Sequence, residues 1–166
     1  MNNGIFLLLG SNQGQPLNNL REASGKIETD AGKILIRSSI YKSAAWGISE
    51  QPDFYNQVLQ IQSVHPPEIL LENLLNIEQL MGRIRIQKWG PRLIDIDILF
   101  YGKEIWNTPS LQIPHPGIPQ RKFTLIPLSE IAGDLQHPVS KKSMSVLLEE
   151  CTDTLMVEKI APGYEL

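Results

Sequence analysis

In the stretch KWGPRLIDIDILF, Lys88 to Phe100, Asp95 and Asp97 stand two residues apart among Leu93, Ile94, Ile96, Ile98, Leu99 and Phe100. A run this apolar reads as a buried strand. On a strand, residues two apart project to one face, roughly 6 to 7 Å apart along the chain. Two carboxylates so placed need something positive to meet them. They suit a hard divalent cation, because magnesium takes few protein carboxylate oxygens and completes its shell with water and substrate phosphate oxygens. The plainer explanation is an exposed strand face, or aspartates held in ion pairs. The residues just upstream shift the balance. GRIRIQKWGPR supplies Arg83, Arg85, Lys88 and Arg92 around Trp89 and Gly90, and four of the six arginines lie between positions 83 and 121. Guanidinium groups bind phosphate oxygens bidentately and stay charged at any working pH. Cations beside a carboxylate pair point to a magnesium–triphosphate site, against the alternative of a solvated basic loop that merely neutralises the aspartates.

Other side chains fit around such a site. Glu78 falls inside the apolar stripe of its helix, where a carboxylate needs a partner; Arg83, Arg85 or a ligand hydroxyl or amine could serve, unless the side chain reaches outward. Phe54 and Asn56 share a strand face, pairing a flat apolar ring with an amide that both donates and accepts. That combination suits a flat heteroaromatic ring read along its hydrogen-bonding edge, although core packing is the simpler explanation for Phe54 taken alone. Trp46 and Trp89 each sit next to a glycine in a loop. His115, in IPHPGIPQRKF, precedes Arg121 by six residues, so one loop could bring both to a phosphate; a turn histidine is the alternative. His65 and His137 precede prolines and are expected at the surface. The chain has no G-x-x-x-x-G-K-[ST] and no G-x-G-x-x-G, and GSNQG is too weak to count as a cradle. Phosphate would therefore be held by side-chain cations and metal, and the segment from Gly82 to Gly90 could close as a lid that excludes water.

The elements that must position these groups follow from periodicity. Ile5 to Leu9 is a short apolar run stopped by Gly10, a central strand. Pro16, Leu17, Leu20 and Ala23 then mark a helix. Ile34 to Tyr41 reads as a second strand, and FYNQVLQIQS, after a connection of about a dozen residues, as a third. Pro66 and Pro67 open a helix with Leu70, Leu74, Ile77 and Met81 on one face and Gly82 as its stop. LIDIDILFY is the fourth strand. The order is that of an α+β protein with a ferredoxin-like βαββαβ core, a mostly antiparallel sheet with helices packed on it. Beyond Gly102 short helices are expected near PLSEIAG and SMSVLLEE.

Composition sets the outer limits. The chain has 166 residues, 42% apolar and 20% charged, which suits one domain over residues 1–166. Fifteen Lys and Arg against 18 Asp and Glu leave a net charge of −3, the wrong sign for a main partner that is nucleic acid or an anionic membrane. The opening apolar run is too short for a signal peptide or a membrane span. A single cysteine, Cys151, excludes an intramolecular disulfide and fits a reducing compartment, so the cytoplasm is expected. An RNA-binding module shares the βαββαβ order, but the chain lacks the aromatic RNA-recognition pattern and is acidic. A metal-dependent nuclease is the other rival.

These residues together resemble the 6-hydroxymethyl-7,8-dihydropterin pyrophosphokinases of folate biosynthesis. The similarity runs nearly end to end, through LGSN, SSIYKSAAWG, QPDFYNQV, IEQLMGRIR, KWGPRLIDIDIL, IPHPGIPQRKF and LIPLSEIAGD. It implies transfer of a pyrophosphoryl group from ATP to the hydroxymethyl of the reduced pterin, releasing AMP, with two Mg2+ ions; a monomer is expected. By the same resemblance, Asp95 and Asp97 are metal ligands, with Asp97 also near the attacking hydroxyl, and Arg83 and Arg92 join them as catalytic residues contacting phosphate. Glu78, Arg85, Trp89, Arg92, Ile98, His115 and Arg121 fall on the ATP side. Ser43, Ala44, Ala45, Trp46, Phe54, Asn56, Trp89 and Phe123 fall on the pterin side. Two departures stand out: SAAW replaces a turn that contains proline in many members, and Ser110 and Pro116 replace an arginine and a tyrosine found in some.

Overall fold

Strand β1 (Asn2–Ser11) alternates between two layers. Ile5, Leu7 and Leu9 are fully buried on one face, while Phe6 and Leu8 are buried on the other. Such a strand must lie inside a sheet covered on both sides. The computed structural model, which describes residues 2–47, 50–82 and 93–162, shows this arrangement. After β1 come α1 (Pro16–Asp30), β2 (Lys33–Arg37), β3 (Ile40–Ser43), β4 (Phe54–Ser63), α2 (Pro67–Leu80) and β5 (Asp95–Tyr101). A small hairpin, β6 (Trp106–Asn107) and β7 (Gln112–Ile113), a 3-10 turn (Ile118–Gln120), α3 (Lys122–Ala132), α4 (Met144–Glu150) and β8 (Val157–Ala161) complete the order.

The main sheet runs β5-β1-β4-β3-β8, with β2 also on β4, and every pairing is antiparallel. The expected ferredoxin-like plan is present, extended by β8 at one edge. Helices α1 and α2 cover one face through Leu20, Ala23, Ile27, Leu70, Leu74 and Ile77, which meet Ile5, Leu7, Leu9, Ile94, Ile96 and Ile98. Each of the leucines and isoleucines, fully buried, contributes roughly 1.5 to 3 kcal/mol. On the opposite face α3 and α4 pack Leu125, Leu128, Met144 and Leu147 against Phe6, Leu8, Val58, Leu99 and Phe100. Among the described residues, no helix is long and apolar enough to cross a membrane.

Two elements and one side chain differ from their sequence expectation. The strand expected over Ile34 to Tyr41 is two, because Ser38 interrupts the ladder: its hydroxyl donates to Ser39 O and accepts from Val58 N. The helix expected near Pro127 begins at Lys122 and carries Pro127 inside it. His137, expected at the surface, is half-buried edge-on to Phe100, 5.8 Å between ring centroids, and burial lowers its pKa.

Candidate active site

The sheet face toward α3 carries the polar residues in register. Asp95 stands opposite Gly10, Gly10 opposite Asn56, and Asn56 opposite Tyr41; two positions along, Asp97 stands opposite Leu8. Period-two alternation thus puts Asp95 and Asp97 on one face, and Ile94, Ile96 and Ile98 on the other against α1 and α2. Gly10 keeps the middle of this row open. A Cβ there would lie 3.2 Å from Asn56 Oδ1 and 3.7 Å from Phe54 Cδ1. Asn56 Nδ2 donates to Ser43 Oγ at 2.8 Å, which orients its Oδ1 above Gly10.

Above this row lies a cavity of about 620 Å3, open solvent at its mouth included. Its floor is Leu8, Gly10, Asn56, Asp95 and Asp97, and its walls are Ser43, Ala44, Trp46, Phe54, Arg121 and Phe123. A second cavity of about 760 Å3, measured the same way, runs along β5, an edge strand. Ile96, Asp97, Ile98, His115, Leu71 and the turn residues Pro109, Ser110, Leu111, Gln112 and Pro116 line it. Asp97 borders both cavities.

His115 stands at the second cavity with its backbone N–H on Leu99 O at 3.0 Å. Its Nδ1 accepts from Gly117 N at 3.0 Å, so the ring proton is assigned to Nε2. Nε2 is 4.0 Å from Asp97 Oδ2. Burial, reinforced by the Arg121 charge and opposed by Asp95, lowers the His115 pKa to about 4. The imidazole is therefore neutral near pH 7, and its approach to Asp97 is not an ion pair. A neutral ring with its proton on Nε2 can donate to an anionic oxygen in the second cavity.

The structure gathers Ser43, Ala44, Trp46, Phe54, Asn56 and Phe123 around one cavity with Asp95 and Asp97, and Ile98 and His115 around the other. Ala45 is buried beside the first without lining it. Arg121, expected on the ATP side, lines the aromatic cavity, its guanidinium 5.0 Å from the Trp46 ring centroid and 5.7 Å from that of Phe123. Gly117 permits this placement, since a Cβ there would come within 2.8 Å of Arg121 Cζ. Glu78 is 2% exposed on the buried side of α2 and lines neither cavity among the described residues. Arg83, Arg85, Lys88, Trp89 and Arg92, with the lid expected between Gly82 and Gly90, lie outside the described residues.

Sequence reasoning missed the role of Ser11 and Asn19. Ser11 Oγ donates to Leu93 O, and Asn19 Nδ2 donates to the same carbonyl at 3.2 Å and to Ser11 Oγ at 3.0 Å. Ser11 and Asn19 together thus anchor the chain entering β5. An asparagine in the first turn of α1, near the end of β1, was the available signal.

Among the described residues no group of three or more His, Cys, Asp or Glu is placed to hold a metal unaided. The donor set is two carboxylates on one face opening into a cavity. That suits magnesium arriving with phosphate oxygens and water, not an all-protein cage.

A family model described as 7,8-dihydro-6-hydroxymethylpterin-pyrophosphokinase (HPPK) matches residues 6–133. The chain belongs to the HPPK family. It is 44% identical over 165 residues to the 2-amino-4-hydroxy-6-hydroxymethyldihydropteridine pyrophosphokinase of Synechocystis sp. (strain ATCC 27184 / PCC 6803 / Kazusa), covering 98% of this chain and 83% of that protein. It is 41% identical over 153 residues to the folic acid synthesis protein fol1 of Pneumocystis carinii, covering 92% of this chain but only 20% of that longer one. In structure it is similar to wild-type Plasmodium falciparum HPPK-DHPS with pteroate, at TM-score 0.72 and 17% identity, over 88% of this chain and 42% of that one. The last likeness speaks to fold alone. The HPPK reaction transfers a pyrophosphoryl group from ATP to hydroxymethyldihydropterin in folate biosynthesis, and membership gives this chain that reaction.

Proposed function

We propose that the HPPK reaction takes place where the two cavities meet, with the pterin in the aromatic cavity, ATP along β5, and Asp95 and Asp97 between them. The observation that carries this reading is Asp97 bordering both cavities while Asp95 lines the first. Phe54 and Phe123 offer flat surfaces to the pterin bicycle, and Asn56, held by Ser43, presents an acceptor to its hydrogen-bonding edge. His115 donates from Nε2 to a phosphate oxygen, and Ile98 packs on the nucleotide side. Ser110 and Pro116 line the same cavity, so ATP binding rests more on His115 and Arg92.

In the transfer, the hydroxymethyl oxygen forms a bond to the β-phosphorus, the bond from that phosphorus to the α-phosphate's bridging oxygen breaks, and AMP leaves. A primary hydroxyl is a poor nucleophile, so positioning and charge stabilisation carry most of the barrier reduction. Asp95 and Asp97 would hold two magnesium ions, which neutralise charge on the phosphate oxygens when bound. Asp97, which borders both cavities, would receive the hydroxyl proton. Arg83 and Arg92 are proposed to clamp the transferring group, with Arg85 and Trp89 completing the nucleotide side and Glu78, buried on α2, supporting it from behind. We read residues 1–166 as one pyrophosphokinase domain, monomeric and cytoplasmic; the single cysteine and acidic balance support that setting.

Incubating the protein with ATP, magnesium and 6-hydroxymethyl-7,8-dihydropterin, and identifying the nucleotide product, tests the proposal. AMP is expected, with turnover lost on chelation of magnesium by EDTA. ADP, or turnover that survives chelation, would overturn it.

A further inference from the structure

Helix α3 delivers Arg121 and Phe123 to the aromatic cavity from its first turn, yet it lacks a cap of its own. Arg121, its N-cap residue, makes no side-chain capping bond. Unpartnered N–H groups at a helix start let the first turn fray. Here the partner comes from Asp153, far along the chain: its Oδ2 accepts from Lys122 N at 3.1 Å, and its Oδ1 accepts from Leu155 N at 3.0 Å. One carboxylate therefore shapes its own loop and holds the start of α3.

The same loop reaches the other wall of the cavity. Ala44 N donates to Met156 O at 3.3 Å, and Val157 stands opposite Ser43 where β8 joins β3. At the far end of α3, Glu130 accepts from Ser39 N, Ser39 Oγ and Tyr41 OH. That carboxylate and, before it, burial push the Tyr41 phenol up to about 12. The helix is thus tied to β3 at its C-terminal end and to residues 153–157 at its N-terminal end. Neither Asp153 nor that loop lies within residues 6–133 that the family model matches.

We propose that Asp153 is a positioning residue for the acceptor: it sets the first turn of α3, and so the ring of Phe123 and the guanidinium of Arg121, against the wall formed by Ser43 and Ala44. The inference rests on reading the aromatic cavity as the pterin side. Its effect belongs to pterin binding, because Phe123 and Arg121 line that cavity and not the one along β5.

The test compares steady-state kinetics of Asp153→Ala, Asp153→Asn, Phe123→Ala and Ser143→Ala. Ser143 caps α4, accepting from Val146 N at 3.2 Å, so its loss removes a bond of the same kind away from the cavity. Asp153→Ala is expected to raise the KM for pterin about tenfold, with the KM for ATP within about twofold of wild type. Asp153→Asn keeps one carbonyl acceptor for Lys122 N and is expected to recover most of that loss; it also serves if the alanine variant does not fold. Ser143→Ala should lower the melting temperature without moving either KM. If Phe123→Ala raises the pterin KM while both Asp153 variants behave like Ser143→Ala, the positioning role is wrong. If Phe123→Ala leaves the pterin KM unchanged, the assignment of the cavity fails and the inference falls with it.

Discussion

His115 shows how much a single environment decides. Its ring is buried and lies near the Arg121 charge, so the folded chain holds it neutral down to about pH 4, whereas an unfolded chain protonates it near 6.5. Above pH 6.5 both states are neutral and the residue adds no pH dependence. Between 6.5 and about 4 the unfolded state binds the extra proton, so stability falls as pH falls through that window. Urea unfolding of the ligand-free protein, without magnesium, should therefore lose midpoint between pH 7 and 4.5, and His115→Gln should lose measurably less; equal losses would remove the assigned state. The sequence carried His115 as a phosphate donor from its loop and spacing. It could not show which nitrogen holds the proton, because that depends on a backbone N–H presented by the following turn. Nor could it show Arg121 lying between Trp46 and Phe123, which depends on the bare face of Gly117.

Among the strands, β1 and β4 do more than fill the sheet. Gly10 lies between Asp95 and Asn56 in the antiparallel row, and the absent side chain leaves room for the floor of the aromatic cavity. Replacing it with alanine puts a methyl 3.2 Å from Asn56 Oδ1, so the amide must shift. Alanine is also better than glycine within a strand, by roughly 0.5 to 1 kcal/mol. Gly10→Ala should thus raise the pterin KM about tenfold while leaving the melting temperature equal to wild type or slightly higher; a lowered melting temperature with unchanged KM would reverse the account. Periodicity made α1, β4 and α2 readable, and apolar runs made β1 and β5 readable, because a strand covered by two layers is apolar on both faces. The split between β2 and β3 was not readable, since it comes from the Ser38 hydroxyl taking part in the ladder of β4. Strand β8 was missed for a related reason: VEKIA has no sustained alternation, and only pairing with β3 makes it a strand.

Taken together, the fold places two cavities on either side of one edge strand and gives them a common carboxylate, within a chain of net charge −3. A polyanion can approach such a protein only where cations or metal ions locally reverse the sign. The aspartate pair was readable from the sequence because charge inside an apolar strand demands an explanation; the meeting of two cavities at Asp97 was not, because it depends on β5 being an edge. The account stands or falls on that pair. Its most direct test is turnover of a protein carrying both Asp95→Asn and Asp97→Asn, measured with saturating ATP, magnesium and pterin beside its thermal unfolding. A folded variant with turnover reduced roughly 10²- to 10⁴-fold is expected. Wild-type turnover in that folded variant would contradict the central claim.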